Sequence, residues 1–190
     1  AMLEVGSFIG LSSSFFLKLL QPWNGTLFSV DPNIPHRCFP SPRSFFHRMN
    51  PPSTSRLSSI DAFFASDSGS SIEGYDQQYN VSQHPRVVSS DYFLDRGLSF
   101  DMAFLDGDHD QTSVMRDFLA LKPMMRPAAC VIFDDVDKRV WPGTYKAVHK
   151  LKLEAMRNSS GTVLIGDQTA LFIDRGLFGR KARTGRPRGG

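Results

Sequence analysis

The sequence has few cysteines and no long apolar run. Among 190 residues only Cys38 and Cys130 are cysteines, which is too few for a disulfide framework and fits a reducing compartment such as the cytoplasm. A single disulfide between the two stays open. No uninterrupted apolar stretch approaches the 18 or so residues of a membrane-spanning helix, and the first residues lack the basic region of a secretory signal. We therefore expect a cytoplasmic protein without a membrane segment.

Acidic residues are absent from the end of the chain, which makes the net charge of +3 misleading. Residues 175–190 carry six basic side chains and no acid, so the rest of the chain holds 16 basic and 19 acidic residues. A run of Gly, Arg and Pro without acids is typically solvated, and it can also contact nucleic acid by releasing counterions. We predict a single domain, 1–175, followed by a basic Gly/Arg-rich tail, 176–190.

Strand and helix patterns alternate along most of the chain. The runs AMLEV, LSSSFFLKLL and TLFSVDP indicate a strand, a helix and a second strand, which together make a βαβ unit. In that helix Leu11, Phe15 and Leu19 share one face. Later strands, at PRVVSSD, FDMAFL and AACVIF, alternate with helices, and TVLIG and ALFID indicate a final antiparallel hairpin. The predicted fold class is α/β, a doubly wound, Rossmann-like and mostly parallel sheet with a C-terminal antiparallel hairpin.

Residues 33–85 interrupt this alternation. Stretches such as NPPSTS and SDSGSS are rich in Pro and Ser, which are loop signals. A loop of this length inside a compact domain is usually a lid, a binding insertion or a disordered segment. Within it, the run SRLSSIDAFFA (55–65) indicates a short helix. We expect 33–85 to be an irregular insertion or lid.

Strand after strand ends in a carboxylate or a glycine turn. These ends are the turn from Gly6 to Gly10, Asp31, Asp91, Asp106 and the pair Asp134 and Asp135. Ligands of open parallel sheets bind outside the carboxyl ends of the strands, so we expect these side chains to meet on one edge. Carboxylates gathered on one edge repel each other unless a cation or a proton intervenes. The pattern favours a metal ion or a polar ligand with hydroxyls or amines.

The first turn and Asp31 together favour an adenosyl ligand. Glu4, Gly6 and Gly10 form the pattern E-x-G-x-x-x-G, in which glycine lets the backbone approach a ligand. This pattern differs from the G-x-G-x-x-G of dinucleotide sites. Asp31 follows the turn by about twenty residues, a spacing that places a carboxylate to accept hydrogen bonds from ribose hydroxyls. The alternatives are an ordinary strand-to-helix turn and a turn aspartate.

These motifs resemble those of class I S-adenosylmethionine-dependent methyltransferases. The closer resemblance is to the small Rossmann-like O-methyltransferases with a D-G-D-H motif, which include macrolide-sugar O-methyltransferases. It is carried by LEVGSFIGLSS, SVDP, FDMAFLDGDHD, VIFDD and WPGTYKAVHKL, in the family's order across nearly the whole chain. The resemblance implies a seven-stranded sheet whose last strand is antiparallel. It also implies S-adenosylmethionine as cofactor and, as in metal-dependent relatives, a divalent cation such as Mg²⁺.

The resemblance implies roles for individual residues as well. The cofactor-binding residues that it implies are Glu4, Gly6, Ser7, Gly10, Asp31, Ser90, Asp91 and Asp106. Among these, Asp31 would hold the ribose hydroxyls, and Ser90 and Asp91 would follow the third strand and lie by the adenine. The metal ligands that it implies are Asp106, Asp134 and Asp135. His109 matches a proposed general base, so that His109 and Asp106 are the implied catalytic residues.

Several of these residues also have an ordinary structural explanation. Asp108 and Asp110 favour the positive end of the helix that begins near residue 110, and we assign them to capping it. His109 can belong to the same cap, and Asp134 and Asp135 can form a hydrogen-bonded turn. The sequence leaves these alternatives open.

The favoured function is methylation of a hydroxyl on a small molecule, such as a sugar or polyol. An alcohol is a poor nucleophile at neutral pH, and a bound Mg²⁺ lowers the pKa of a hydroxyl that coordinates it. His109 can take the proton, because a histidine titrates near neutrality. Trp141 fits either the core or a wall that stacks on the substrate, and the sequence does not choose between them.

Two other functions stay open. The sequence opens at the first strand, without the N-terminal segment that helps to cover the cofactor in the family, so a truncated or non-catalytic binding module is one alternative. An RNA methyltransferase guided by the tail 176–190 is the other, although the chain lacks an aromatic-basic surface motif. The sequence also leaves a homo-oligomer open.

Overall fold

The computed structural model describes residues 1–7, 10–31, 56–60, 62–64 and 86–175. The strands are β1 Met2–Val5, β2 Thr26–Val30, β3 Arg56–Ile60, β4 Ala62–Phe64, β5 Arg86–Val88, β6 Phe100–Leu105, β7 Met125–Phe133, β8 Gly161–Ile165 and β9 Ala170–Asp174. The helices are α1 Leu11–Leu20, α2 Ser90–Leu94, α3 Gln111–Leu121 and α4 Pro142–Asn158, with 3-10 turns at Gln21–Trp23 and Lys122–Met124. The predicted tail 176–190 and most of the predicted insertion 33–85 lie outside the described residues.

Seven strands form the main sheet in the order β3-β2-β1-β6-β7-β9-β8. β1 pairs in parallel with β2 and β6, β2 pairs in parallel with β3, and β6 pairs in parallel with β7. β9 runs antiparallel to both β7 and β8. The predicted fold class, a mostly parallel sheet that ends in an antiparallel hairpin, is therefore confirmed.

Apolar side chains cover both faces of this sheet. Met2 and Leu3 are both fully buried, and since they are neighbours in one strand they point to opposite faces. Met2 belongs to a cluster with Phe16 of α1, whereas Leu3 belongs to the larger cluster with Phe118 of α3 and Val148 of α4. The sheet is thus the middle layer between α1 on one side and α3 with α4 on the other.

Helix α1 turns a different face to the sheet than its apolar spacing indicates. Leu11, Phe15 and Leu19 do share one face, but their exposed fractions are 66%, 63% and 42%. The buried positions of the helix are Ser13, Phe16 and Leu17. The buried serine explains the difference, since Ser13 donates a hydrogen bond to a carboxylate of β1 (below) and so fixes which face of the helix points inward.

The predicted helix at 55–65 is wrong. This segment contains the strands β3 and β4. The buried side chains of Ile60, Ala62 and Phe64 alternate along the chain, which is the period of a strand. The sequence of this run does not alternate cleanly between apolar and polar residues, because two Ser and two Phe residues stand side by side. The period of a strand is therefore not visible in the sequence alone.

The strand at PRVV is not the third strand of the main sheet. Its described part, β5, pairs in parallel with β4 in a separate two-stranded sheet, and the third position of the main sheet belongs to β3. Among the described residues, no helix is both long and apolar enough to cross a membrane.

Candidate functional site at the carboxyl edge of the sheet

The carboxyl ends of four neighbouring strands are level with each other. Val5 of β1 pairs with Val30 of β2 and with Leu105 of β6, and Leu105 pairs with Phe133 of β7. The four residues that follow these strand ends, which we call the rim, are Gly6, Asp31, Asp106 and Asp134. Their amides donate to strand carbonyls at 2.9–3.1 Å. The rim residues therefore leave the sheet side by side, as ligand-binding residues of parallel sheets do.

A tight turn connects β1 to α1 at this edge. Gly6 has a φ of +83°, and a Cβ added there would lie 1.9 Å from the carbonyl oxygen of Asp106. Only glycine tolerates both the left-handed backbone and this approach. The amide of Ser7 donates to Oδ2 of Asp31 at 2.9 Å, and Gly10, with a φ of +82°, begins the helix. The turn is thus held against both of its neighbouring strand ends.

Ser7 also carries a buried hydroxyl beside Asp31. The residue is 2% exposed, and its Oγ makes no hydrogen bond within the part of the chain that the structure describes. A buried hydroxyl without a partner costs free energy. A polar ligand seated at the turn would remove that cost.

Glu4 is a fully buried carboxyl group on the α1 side of the sheet. Ser12 donates a hydrogen bond to its Oε1 at 2.7 Å, and Ser13 donates a hydrogen bond to its Oε2. Burial nevertheless raises the pKa of Glu4 above its ordinary value, because the charged form loses its hydration. Glu4 thus fixes α1 against the sheet next to the turn.

Carboxyl groups crowd around Asp106, in the middle of the rim. Burial, followed by the charges of Asp134, Asp135, Glu4 and Asp31, raises the pKa of Asp106 to about 7. The pKa of Asp134 is also raised, mainly by burial. Such crowding disfavours the ionised forms, and a cation bound among them would favour them again.

His109 lies over the same acids and is held from two directions. Its Nε2 is 2.8 Å from Oδ2 of Asp135, and its ring stacks on the indole of Trp141 with 3.8 Å between centroids and 21° between planes. Asp135 has a φ of +54°, a left-handed conformation that Asp adopts more readily than most residues. Asp106, His109 and Asp135 each offer one ligand atom, and these atoms lie within 4.8 Å of one another.

The sequence matches the family described as a methyltransferase domain over residues 3–136. The match includes the turn, the rim and the D-G-D-H segment. The chain belongs to the methyltransferase domain family. A methyltransferase of this family uses S-adenosylmethionine as the methyl donor.

Solved structures support the methyltransferase fold. One is the MycE methyltransferase from the mycinamycin biosynthetic pathway in complex with Mg, SAH and mycinamycin VI, with a TM-score of 0.55 and 18% identity over 99% of this chain and 47% of that chain. Another is the apo structure of CalS11, TDP-rhamnose 3'-O-methyltransferase, with a TM-score of 0.56 and 14% identity over 92% of this chain and 71% of that chain. The chain thus spans about half the length of MycE. A search of curated proteins finds no match.

The chain brings together most of the residues that the sequence assigns to the site, with one difference in the group of side chains that could hold a metal ion. Asp106 and Asp135 lie together, and the third side chain with a possible ligand atom within 4.8 Å of theirs is that of His109, whereas Asp134 is not in this group. Asp134 stays close enough for its charge to raise the pKa of Asp106. Its predicted role as a ligand therefore stays a prediction.

Ser90 and Asp91 do not follow a strand of the main sheet and so are not rim residues. They begin α2 after β5, which does not belong to the main sheet, so four of the five predicted strand ends form the rim. Phe93 of the same helix packs edge-to-face against Phe28 and Phe100, which fixes α2 on the sheet. The predicted position of Ser90 and Asp91 by the adenine stays a prediction.

Asp108 and Asp110, which flank His109, are both predicted to cap the amino end of α3. Oδ2 of Asp110 accepts a hydrogen bond from the amide of Thr112 at 2.8 Å, which makes Asp110 the N-cap of α3. Oδ1 of Asp108 accepts from the amide of Asp110 at 3.1 Å. The prediction that Asp110 caps the helix is confirmed. The same prediction for Asp108 is wrong, because its side chain accepts from the amide of Asp110 in the turn before the helix. His109 does not serve the cap with its ring, because the ring contacts Asp135 and Trp141.

A small pocket beside the D-G-D-H segment is lined by polar residues that the sequence does not predict as part of the site. Asp117 of α3 and Thr144 of α4 line it together with Asp106 and Asp134. Asp117 is 7% exposed, and burial raises its pKa to about 8. Thr144 is 3% exposed, and its Oγ1 makes no hydrogen bond to any residue that the structure describes. Both side chains lie on buried faces of their helices. No signal in the sequence distinguishes these two positions from ordinary core positions.

Proposed function

We propose that the chain transfers the methyl group of S-adenosylmethionine to a hydroxyl of a small molecule, with a divalent cation assisting. Asp106, His109 and Asp135 lie together beside the turn after β1, where Ser7 donates to Asp31, and this observation carries the proposal. A candidate base and candidate metal ligands thus lie at the carboxyl edge of the sheet, where the cofactor of a methyltransferase domain would bind.

The cofactor supplies an electrophilic methyl group on a sulfonium. The chain would bind its adenosyl part at the turn, where Asp31 can accept hydrogen bonds from ribose hydroxyls and Ser7 Oγ offers the buried hydroxyl described above. Glu4 is already paired with Ser12 and Ser13, so we assign it to holding α1, and with it the turn, in place. Gly6 is required by its approach to Asp106, which keeps the turn close to the catalytic residues.

Asp106, Asp134 and Asp135 would hold the cation. Their oxygen atoms are the ligands that Mg²⁺ prefers, and Mg²⁺ keeps several coordinated waters that a substrate hydroxyl can replace. Burial and then the neighbouring carboxylates raise the pKa of Asp106, and this supports the assignment because a bound cation would favour the ionised form again. A bound cation would lower the pKa of a hydroxyl that coordinates it.

His109 would take the proton of that hydroxyl. A carboxylate only accepts hydrogen bonds, so we assign the hydrogen of this contact to Nε2 of His109, which then donates to Asp135. The lone pair that can accept a proton is then on Nδ1. The same hydrogen bond prevents Nε2 from acting as a metal ligand, which separates the base from the metal ligands.

The acceptor class follows from this chemistry. A cation with open coordination positions binds two neighbouring hydroxyls better than one, so we propose a sugar or another vicinal diol. CalS11, which shares the fold, is a TDP-rhamnose 3'-O-methyltransferase, and this supports a sugar as the first acceptor to test.

The test is a transfer assay with S-adenosylmethionine labelled in the methyl group, on panels of nucleotide sugars, glycosylated macrolides and catechols, with Mg²⁺ or with EDTA. We expect Mg²⁺-dependent transfer to at least one diol, a loss of about 10²-fold or more in His109→Gln, and unchanged transfer in Glu154→Gln, an exposed change on α4. S-adenosylhomocysteine binding without transfer to any panel would instead support a binding module. Methyl transfer at the same rate in the presence of EDTA would contradict the proposed role of a divalent cation.

A further inference from the structure

Trp141 covers one face of the His109 ring. The two rings are stacked with 3.8 Å between centroids and 21° between planes. Trp141 is 36% exposed, whereas the other tryptophan, Trp23, which follows α1, is 72% exposed. The indole of Trp141 therefore contacts the imidazole with part of its surface and leaves part facing solvent, which is an unusual position for a residue that serves only the core.

The backbone around Trp141 is fixed before α4 begins. Oδ1 of Asp137 accepts hydrogen bonds from the amides of Arg139 at 2.6 Å and Val140 at 2.9 Å. The amide of Trp141 donates to the carbonyl of Asp137 at 2.8 Å. Pro142 then occupies the first turn of the helix, where its fixed φ suits the helical backbone. The indole is thus carried by a closed turn rather than by a free loop.

Gly143, two residues after Trp141, lies against the backbone of His109. A Cβ added to Gly143 would lie 2.2 Å from the carbonyl oxygen of His109 and 2.8 Å from the amide of Gln111. The start of α4 therefore packs on the D-G-D-H segment with its backbone at Gly143 and with its side chain at Trp141. Both contacts fix the position of His109 relative to α4.

A single hydrogen bond does not fix the plane of an imidazole ring. The bond from Nε2 to Asp135 restrains one atom, and the ring can still turn about the axis through that bond. A stacked indole restrains the plane of the ring, so the two contacts together determine where Nδ1 points and where the Asp135 carboxylate lies. Partners of this kind orient metal ligands and bases, and their loss costs about 10- to 100-fold in metal affinity or activity.

We propose that Trp141 is a positioning residue, which acts through His109 to hold the imidazole and the Asp135 carboxylate in their working orientation. This inference rests on the proposed function, because that function explains why the orientation of His109 matters. The stacking of the two rings is observed independently of it. Trp141 needs no contact with the cofactor or the acceptor to act in this way.

The test compares Trp141→Leu, which removes the aromatic face, with Trp141→Phe, which keeps one. Trp23→Leu is the matched control, because it removes the exposed tryptophan that follows α1. Two readouts are used: the NMR signal of the His109 ring, identified by its loss in His109→Gln, and the affinity for Mn²⁺ measured by paramagnetic resonance at one fixed pH.

In the wild type we expect the His109 ring signal to be displaced by the indole ring current. In Trp141→Leu this displacement is lost, ring mobility increases and Mn²⁺ affinity falls about tenfold. In Trp141→Phe and Trp23→Leu ring mobility and affinity stay close to wild type. S-adenosylhomocysteine affinity, measured in parallel, stays unchanged in all of them and shows that the variants are folded.

Unchanged ring mobility and unchanged Mn²⁺ affinity in Trp141→Leu would overturn the inference, as would an equal loss in Trp23→Leu. If the wild type binds no Mn²⁺, the metal of the proposed function fails, and ring mobility alone decides the inference. The two failures are therefore distinguishable.

Discussion

The burial of Asp106 and the carboxylates around it predict a pH-dependent gain of stability in Asp106→Asn. The pKa of Asp106 is raised from 3.8 to about 7 in the folded chain. Between these two pH values the native state binds more protons than the unfolded state. The free energy of unfolding of the wild type therefore falls as the pH rises from about 4 to about 7. Asparagine has a similar shape and no titration, and it removes this loss.

The magnitude follows from the part of the shift that the assay covers. From pH 5 to pH 8 the titration crosses about two pH units, which corresponds to about 2.7 kcal/mol for a fully buried group. Asp106 is only half-buried, and solvent screening reduces the expected difference to about 1 kcal/mol. Asp106→Asn should therefore gain about 1 kcal/mol over the wild type between pH 5 and pH 8.

Urea unfolding at the two pH values measures this difference. Glu154→Gln, an exposed change on α4, is the control and should follow the wild type at both. At pH 8 saturating Mg²⁺ should stabilise the wild type more than Asp106→Asn. A stability difference that is the same at both pH values, or that shrinks as the pH rises, would refute the reasoning.

The remaining predictions concern the turn, α1 and α3, and chemical unfolding measures all of them. Gly6→Ala should destabilise by several kcal/mol more than Gly97→Ala, because both glycines have positive φ but only the Cβ at Gly6 meets backbone; equal losses would contradict this. Phe16→Ala should cost about 3–5 kcal/mol, and Phe15→Lys should stay within about 0.5 kcal/mol; the reverse order would mean that α1 faces the other way. Asp110→Ala should cost about 1 kcal/mol as the loss of an N-cap, and no loss would argue against the cap.

The parts of the fold that follow from local pattern are predictable from the sequence. Val114, Phe118 and Leu121 have the spacing of one helical face, and all three are buried in α3. The hairpin of β8 and β9 follows from two short apolar runs around a turn. The rim follows from the rule that parallel strands end at one edge, which is enough to group Asp31, Asp106 and Asp134 from their places in the sequence.

The parts that depend on tertiary contacts were not predictable. The inward face of α1 is set by the bond between Ser13 and Glu4, which the apolar spacing of the helix does not contain. The strand period at 55–65 depends on which side chains are buried. The stacking of Trp141 on His109 joins two segments about thirty residues apart and depends on how closely α4 packs on the D-G-D-H segment at Gly143.

Titration calorimetry with S-adenosylhomocysteine tests most directly whether the turn after β1, where the amide of Ser7 donates to Asp31, binds an S-adenosyl group. Asp31→Asn keeps an oxygen for the amide of Ser7 but loses the charge that accepts two ribose hydroxyls. We expect wild type to bind, Asp31→Asn to bind at least about tenfold more weakly, and Asp101→Asn, an exposed change near the amino end of β6, to bind like wild type. No binding by the folded wild type, or equal affinity in Asp31→Asn, would contradict the account.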